Sequence, residues 1–209
     1  MSQTYGKTRW KRFAVVMVPT LAVTAAVGVS VAQGALAASF SVSGSQFKVS
    51  ADSLTGHNFV QYGTVDTQEG NKVIPVAVSG FKTATINNLC QSVSVPLGPL
   101  GTYTLKITAG TDPNNPVTAS NLYIDMTDLQ AKTAVFDNIN IGVAEGAVSE
   151  GTVSPGDKSS PYYNPAGFAQ EATKATLTGV QQTAWATSAG TFSLSNMHLS
   201  INSSNSECF

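Results

Sequence analysis

Apolar and polar residues alternate with a period of two along most of the chain after residue 38. Serine and threonine fill most of the intervening positions. The apolar members are Phe47/Val49, Val93/Val95, Tyr103/Leu105/Ile107, Leu122/Ile124/Met126, Ile139/Ile141/Val143, Phe192/Leu194 and Met197/Leu199/Ile201. Such alternation is typical of half-buried β-strands, and the many β-branched residues favour the same structure. We therefore expect residues 38–209 to form one all-β domain, either a single antiparallel β-sandwich or an elongated, curved β-sheet.

A helical period is almost absent from this part of the chain. Only residues 169–176 (AQEATKAT) have a composition that suits a helical turn, and the segment is short. Loop signals are clearer. Residues 110–116 (GTDPNNP) form a turn cluster between two expected strands.

The alternation changes phase in five places. At each of them two apolar residues are separated by two positions, the second of which is Asn, Asp or Gly: residues 86–89, 126–129, 136–139, 177–180 and 194–197. These residue types tolerate a positive φ, or local turns, better than others do. The steps are therefore either tight two-residue hairpin turns or bulges and corners that keep one apolar face pointing inward, and the sequence leaves both interpretations open.

The first 37 residues have the organisation of an export signal. Residues 7–12 are basic, residues 13–31 carry no charge, and Ala35-Leu36-Ala37 matches the small-residue pattern of signal peptidase sites. We expect residues 1–37 to be a signal peptide that is cleaved before Ala38. The alternative is an uncleaved anchor helix formed by the apolar run 13–32, whose length approaches the roughly 20 residues that span a bilayer. Both interpretations predict that residues 38–209 are exported to the cell surface or the extracellular space.

Charge is sparse and unevenly distributed. Only 11% of the residues are charged, and residues 38–209 contain seven lysines, no arginine and twelve carboxylates, a net charge of −5. A nucleic-acid partner is not expected, because few cations are available to neutralise phosphates.

The chain contains two cysteines, Cys90 and Cys208. An exported chain meets oxidising conditions, so we expect these two residues to form a disulfide that ties the C-terminal end to the middle of the chain. A catalytic cysteine would need a histidine partner, and a zinc site would need more Cys or His ligands than this chain offers.

Residues 144–168 form the longest irregular stretch and contain Tyr162, Tyr163 and Phe168. Long loops often carry function, and exposed aromatic rings suit ligand contact. Aromatic side chains more often pack against a sheet, and this second interpretation is the one we favour.

Candidate catalytic residues are few. A Ser-His-Asp hydrolase commonly has a Gly-x-Ser-x-Gly elbow, which residues 38–209 lack. Two relaxed matches place a serine at Ser149 and Ser188. The two histidines are His57, in a turn-like Thr-Gly-His-Asn, and His198, which alternates with apolar neighbours; both are expected at the surface.

Other site chemistry is equally sparse. Asp125 and Asp128 lie three residues apart, which puts them on opposite faces of a strand unless the phase step intervenes, and we expect a solvated sheet face there. No cofactor-binding motif and no metal-ligand spacing occurs, so neither a cofactor nor a metal is expected.

Several short segments resemble a known family. They are residues 1–14 (MSQTYGKTRWKRFA), 32–40 (AQGALAASF), 140–143 (NIGV), 167–171 (GFAQE), 181–187 (QQTAWAT) and 207–209 (ECF). They are similar to an actinobacterial family of exported proteins of unknown function, over essentially the whole chain. Some of its members bear the name cholesterol esterase, although the family has no established catalytic residues. The resemblance implies export and an envelope setting.

Three functions are compatible with these features. The leading one is a non-catalytic binding or structural role in the cell envelope or outside the cell. The second is a lipid or sterol carrier, in which a curved sheet shelters an apolar ligand against Phe192, Leu194, Met197 and Leu199. The third is an ester hydrolase that uses Ser149 or Ser188 with His198 or His57. A lipid or envelope partner fits the first two, and the sequence leaves the oligomeric state open.

Overall fold

The computed structural model describes residues 44–203 and 206–209, and these residues confirm the predicted all-β fold. Ten antiparallel strands follow one another: β1 (Phe47–Gln68), β2 (Lys72–Asn87), β3 (Leu89–Pro96), β4 (Thr102–Ala109), β5 (Val117–Gln130), β6 (Thr133–Asp137), β7 (Asn140–Ala144), β8 (Phe168–Ser188), β9 (Thr191–Ser193) and β10 (His198–Asn202). One short helix, α1 (Pro155–Lys158), and three 3₁₀ turns (Glu69–Asn71, Gly98–Leu100 and Glu145–Ala147) connect them.

The predicted signal peptide or anchor, residues 1–37, lies outside the described residues. Within residues 44–203 and 206–209, no helix has the length and apolar character needed to cross a membrane.

All ten strands belong to one sheet. Its order is β10-β4-β3-β1-β2-β5-β8-β6, with β7 paired to β8 and β9 paired to β5. β1 also pairs with β8, so the circuit β1–β2–β5–β8 returns to its first strand. Of the two predicted architectures the protein therefore has the curved single sheet, and this sheet closes on itself over part of its length.

Several neighbouring strands continue one another. β2 and β3 pair with β1 in one register, from Gln68↔Lys72 to Lys48↔Ser92, with a break at Asn88. β5, β6 and β7 likewise follow one another along the same edge of β8. The fold is therefore built from a few long strands that are interrupted locally.

The predicted phase steps cause these interruptions. Asn88, Asn138, Gly179 and Asn196 occupy four of the five steps, each with φ between 52° and 57°. The fifth step, residues 126–129, is a bulge with register shifts on both sides of Met126. The steps are therefore kinks and bulges rather than hairpin turns. The same backbone conformation recurs at two further asparagines that the five steps do not include, Asn58 (φ 52°) and Asn121 (φ 47°).

Each kink changes which residues of a strand face inward. In β5, Val117 and Ala119 are buried before Asn121, whereas Leu122 and Ile124 are buried after it. A residue in the left-handed conformation resets the two-residue alternation, so the same face of the sheet stays apolar on both sides of the kink.

The buried side chains form two clusters on opposite faces of the sheet. The larger lies on the inner face of the closed part and includes Leu54, Phe59, Phe81, Leu122, Met126 and Leu177. The smaller lies on the outer face, where the loop 145–167 contributes Val148, Val153 and Tyr163 over Val60, Tyr62 and Val78 of the sheet. The loop therefore covers the sheet as predicted through Tyr163, whereas Tyr162 and Phe168 are exposed.

Two local predictions are wrong. Residues 169–176 belong to β8 and form no helical turn. The helical spacing has two causes in β8: the strand buries residues on both of its faces, and its alternation shifts opposite Asn58. Together these bury Ala169, Ala172 and Ala175. His57 lies inside β1, where it pairs with Thr83 and Lys174 rather than forming a turn.

Candidate functional site

The closed part of the sheet contains a partly open, mainly apolar cavity of about 240 Å³. Strands β1, β2, β5 and β8 supply its walls, and β6 together with the turn before it supplies the remainder. The apolar lining residues are Leu54, Phe59, Phe81, Ile124, Leu129, Ala131, Ala134, Phe136, Leu177 and Val180. A concave, mainly apolar space with a few polar groups is the usual form of a small-molecule site.

Aromatic rings form one end of the cavity. The Phe59 ring centroid lies 5.4 Å from that of Phe81 and 5.2 Å from that of Phe136, with tilted planes in both pairs. Gly56 makes room for this arrangement, because a Cβ atom on it would lie 2.2 Å from Cδ1 of Phe81. Tilted contacts of this kind stabilise aromatic pairs beyond their buried area, so this end of the wall is firmly packed.

Polar side chains interrupt the apolar lining at Gln61, Ser79 and Gln182. The Gln61 amide nitrogen donates to the Ser79 hydroxyl oxygen at 2.9 Å, and Gln61 Oε1 accepts from the Gln170 amide nitrogen. Because the Ser79 oxygen accepts this hydrogen bond, the hydroxyl hydrogen of Ser79 can be donated to another acceptor.

Gln182 differs from the other two polar residues. Only 4% of its surface is exposed, and it takes no part in the hydrogen bonds that join Gln61 to Ser79 and Gln170. Its amide is therefore a polar group in the cavity wall that can hydrogen-bond to water or to a ligand.

Among the described residues, no hydrogen bond joins a serine considered for a hydrolase to a histidine. Ser149 donates its hydroxyl to Glu171 Oε1 at 3.2 Å and its backbone N–H to Glu171 Oε2 at 2.6 Å. Ser188 pairs with Tyr123, fourteen residues along β8 from Lys174, the neighbour of His57. At about 3.3 Å per residue, that separation exceeds any hydrogen-bonding distance.

Neither His57 nor His198 has a side-chain hydrogen bond among residues 44–203 and 206–209, and His198 lies on β10 beside Thr108. The Glu171 carboxylate accepts both of the hydrogen bonds that Ser149 donates. Although burial opposes its ionisation, the N–H groups of Glu150 and Ser149 keep the pKa of Glu171 below its usual value.

The residues considered for a lipid carrier are not brought together at one site. Phe192 lies beside a smaller second cavity, and Leu194 packs against the inner core cluster. Met197 and Leu199 are exposed on the surface. The sequence pointed to part of the lining of the larger cavity, because four lining residues belong to the phase steps: Leu129, Phe136, Leu177 and Val180. Leu54, Phe59 and Phe81 carried no such signal.

Under the loop 145–167 lies a group of acidic and tyrosine side chains. The Tyr62 hydroxyl donates to Asp157 Oδ2 at 2.5 Å and accepts from the Ser154 N–H at 3.0 Å. Burial, together with the neighbouring Asp66 and Asp157 carboxylates, raises the pKa of Asp125 to about 8. Burial and the nearby Asp157 likewise raise the pKa of Asp66 to about 6.

The predicted solvated face is therefore right for Asp128, which is exposed, and wrong for Asp125, which is partly buried near Asp157 of the loop. Burial also raises the pKa of Asp157, although the hydrogen bond from Tyr62 acts in the opposite direction. No group of three or more potential metal ligands occurs within the described part of the chain.

The two cysteines are brought together as predicted. The sulfur atoms of Cys90 and Cys208 lie 2.04 Å apart, and the pair joins residues 118 positions apart. Residues 206–209 thereby lie against β3, where the Cys208 N–H donates to Ser92 Oγ at 3.0 Å and Lys48 Nζ contacts Glu207 Oε2 at 2.6 Å.

Comparisons with known proteins identify a family but no function. No curated protein and no solved structure matches the chain. A family model described as a family of unknown function, DUF6230, matches residues 43–209, which include every strand of the sheet. The chain therefore belongs to the DUF6230 family.

Proposed function

We propose that this protein is exported and acts in the cell envelope or outside the cell, where it binds an apolar ligand without chemical conversion. The observation that carries the proposal is the mainly apolar cavity inside the sheet, whose wall contains the largely buried Gln182. An apolar ligand with one polar group would fill the space and hydrogen-bond to the Gln182 amide.

The size of the cavity supports an acyl-type chain over a sterol. Its volume of about 240 Å³ is smaller than the roughly 300–1,000 Å³ of pockets that enclose drug-sized molecules. The Ser79 hydroxyl and the Gln182 amide are neutral donors. We expect them to suit a carbonyl or hydroxyl group on the ligand.

Export is supported by the composition of residues 1–37 and by the pairing of Cys90 with Cys208. Disulfides persist mainly in oxidising compartments. If the signal peptide is cleaved as proposed, N-terminal sequencing of the exported protein begins at Ala38; an intact Met1 would support the anchor instead.

Ligand binding is tested by purifying the protein from a host that exports it and extracting it with organic solvent. Mass spectrometry should find an apolar molecule in about equimolar amount. The variant Gln182→Leu should lose it, because the amide that would bond the polar group is gone. Gln181→Leu is the matched control, since Gln181 is the adjacent residue and is exposed.

The stability of the two variants gives a second readout. If the cavity binds nothing, Gln182→Leu replaces a largely buried amide with an apolar group and should leave the stability unchanged or raise it. An extract without ligand, together with unchanged binding of a fluorescent fatty acid by Gln182→Leu and Gln181→Leu, would contradict the proposal.

A further inference from the structure

Strands β3, β4 and β10 extend from β1 as a three-stranded wing with two very different faces. Register places Val93 beside Leu105, and Leu105 beside Ile201, on one face. Ile107 and Leu199 are paired on the same face. The opposite face carries serine, threonine and lysine residues.

The wing hides its polar face and presents its apolar face. Residues 206–209 lie over the polar side, where Ser92 and Thr104 are each only 1% exposed. On the apolar side, Leu199 is 53% exposed and Ile201 is 63% exposed. A sheet in an isolated domain has the reverse arrangement, so the apolar face has the character of a surface that is covered in the functional protein.

The size of this surface fits a protein interface. The exposed large apolar side chains on the strands of this face are Val95, Leu199 and Ile201, and next to the strands in sequence lie the exposed Leu97, Leu100 and Met197. Six such side chains, about half exposed, present on the order of 400 Å² of apolar surface. A standard interface buries about 800 Å² per partner, roughly 60% of it non-polar, so the apolar share is of comparable size.

The charge of the surface indicates what would cover it. The residues that share the apolar face on β3, β4 and β10 include no Asp, Glu, Lys or Arg; the one lysine of these strands, Lys106, lies on the polar face. Two identical copies could therefore meet here without bringing like charges together, although residues 38–209 have a net charge of −5. The same negative charge and the absence of cations on the face disfavour an anionic lipid surface.

We propose that a second copy of this chain covers the wing, so that the protein is a symmetric dimer in which two apolar faces pack against each other. A two-fold axis lets each copy use the same surface, as in most homodimers. The two wings then form a local two-layer β-structure of the ordinary spacing, about 10 Å between sheets. The polar faces and the disulfide-bonded segment 206–209 lie on the outside of this arrangement.

The proposal is tested by measuring the oligomeric state of the protein after a host has exported and processed it. Sedimentation equilibrium should give twice the mass of one chain, with a dissociation constant of about 10 µM or tighter. Ile201→Lys should shift the protein to monomer, because it places two like charges in the interface. Ile141→Lys is the control, since Ile141 is similarly exposed on β7, away from the wing, and should leave the dimer intact.

A second variant separates loss of association from loss of folding. The double substitution Leu199→Thr and Ile201→Thr keeps strong β-formers in β10, so circular dichroism should be unchanged while the dimer dissociates. A wild-type monomer at concentrations of about 200 µM would overturn the proposal. So would a dimer that survives both wing variants, or a monomer that binds phosphatidylcholine vesicles through Ile201, which would identify lipid as the occupant.

Discussion

At the scale of single residues, the main device of this protein is an asparagine or glycine with positive φ inside a strand. Asn58, Asn88, Asn121 and Asn138 all have φ near 50°. This conformation costs on the order of 1–2 kcal/mol for other residues with a Cβ atom, whereas glycine adopts it freely and asparagine tolerates it. These positions decide which side chains of each strand reach the inner core.

Asn121 offers a direct test of this device, because its side chain makes no hydrogen bond among the described residues and only its backbone conformation is at stake. Asn121→Ala should lower the free energy of unfolding by about 1 kcal/mol. Asn121→Gly should leave it nearly unchanged. Urea unfolding of the three proteins measures the difference, and equal losses in both variants would contradict the backbone explanation.

At the scale of elements, the loop 145–167 is held on the sheet by groups that favour their protonated forms. Tyr62 of β1 bonds Asp157 of α1, and Asp66 and Asp125 lie nearby on the sheet. Glu145, the first residue of the loop, also has a pKa raised by burial and by Asp157. Because no cation is hydrogen-bonded to these carboxyls within the described chain, ionising them together works against docking of the loop.

The stability of the protein should therefore fall as the pH rises from about 5 to 9. In the unfolded chain Asp66 and Asp125 ionise near their ordinary pKa of about 3.9. In the folded protein they retain protons up to pKa values of about 6 and about 8. The stabilisation from a raised pKa is complete below the unfolded value and is lost as the pH passes through the folded value.

Unfolding in urea at pH 5.5, 7 and 8.5 measures this dependence. Asp125→Asn should flatten the slope and raise the stability at pH 8.5. Asp112→Asn is a suitable control, because Asp112 lies in the turn between β4 and β5 and the pKa of its carboxyl is lowered by N–H groups of Asn114 and Asn115. A stability that rises over this pH range would show that Asp125 is solvated and ionised in the folded protein.

At the scale of the whole molecule, the fold depends on contacts between distant parts of the chain. β1 pairs with β8 along sixteen residues, from Phe47↔Ala184 to Tyr62↔Ala169, across more than a hundred positions of sequence. The Cys90–Cys208 pair spans a similar distance and fastens residues 206–209 to the wing. Closing such long loops is entropically costly in the unfolded chain.

Breaking the disulfide should destabilise the molecule strongly. For a loop of this size the chain-entropy model gives about 4.7 kcal/mol, an upper figure because measured values are often smaller. The double variant Cys90→Ala and Cys208→Ala should therefore lose roughly 2–4 kcal/mol of unfolding free energy. The denatured wild-type protein should contain no free thiol, and two free thiols in the exported protein would disprove the bridge.

Much of the local structure could be predicted from the chain itself. The alternation of Tyr103, Leu105 and Ile107 identified β4, and the phase steps at residues 86–89 and 177–180 identified real kinks, because both depend on neighbouring residues. Whether the apolar face of a strand points to the core or to solvent does not depend on neighbouring residues alone. Leu199 and Ile201 alternate like core residues, yet they are exposed, since the covered side of the wing is determined by residues 206–209.

The sequence by itself determined an all-β chain, its kinks and its one pair of cysteines, because these follow from period, residue type and composition. The tertiary structure alone decided that the sheet closes, that a cavity with Gln182 in its wall lies inside it, and that Asp125 is covered. The physical reason is the same in each case. Closure and burial depend on pairing between segments far apart in the chain, which a two-residue period does not encode.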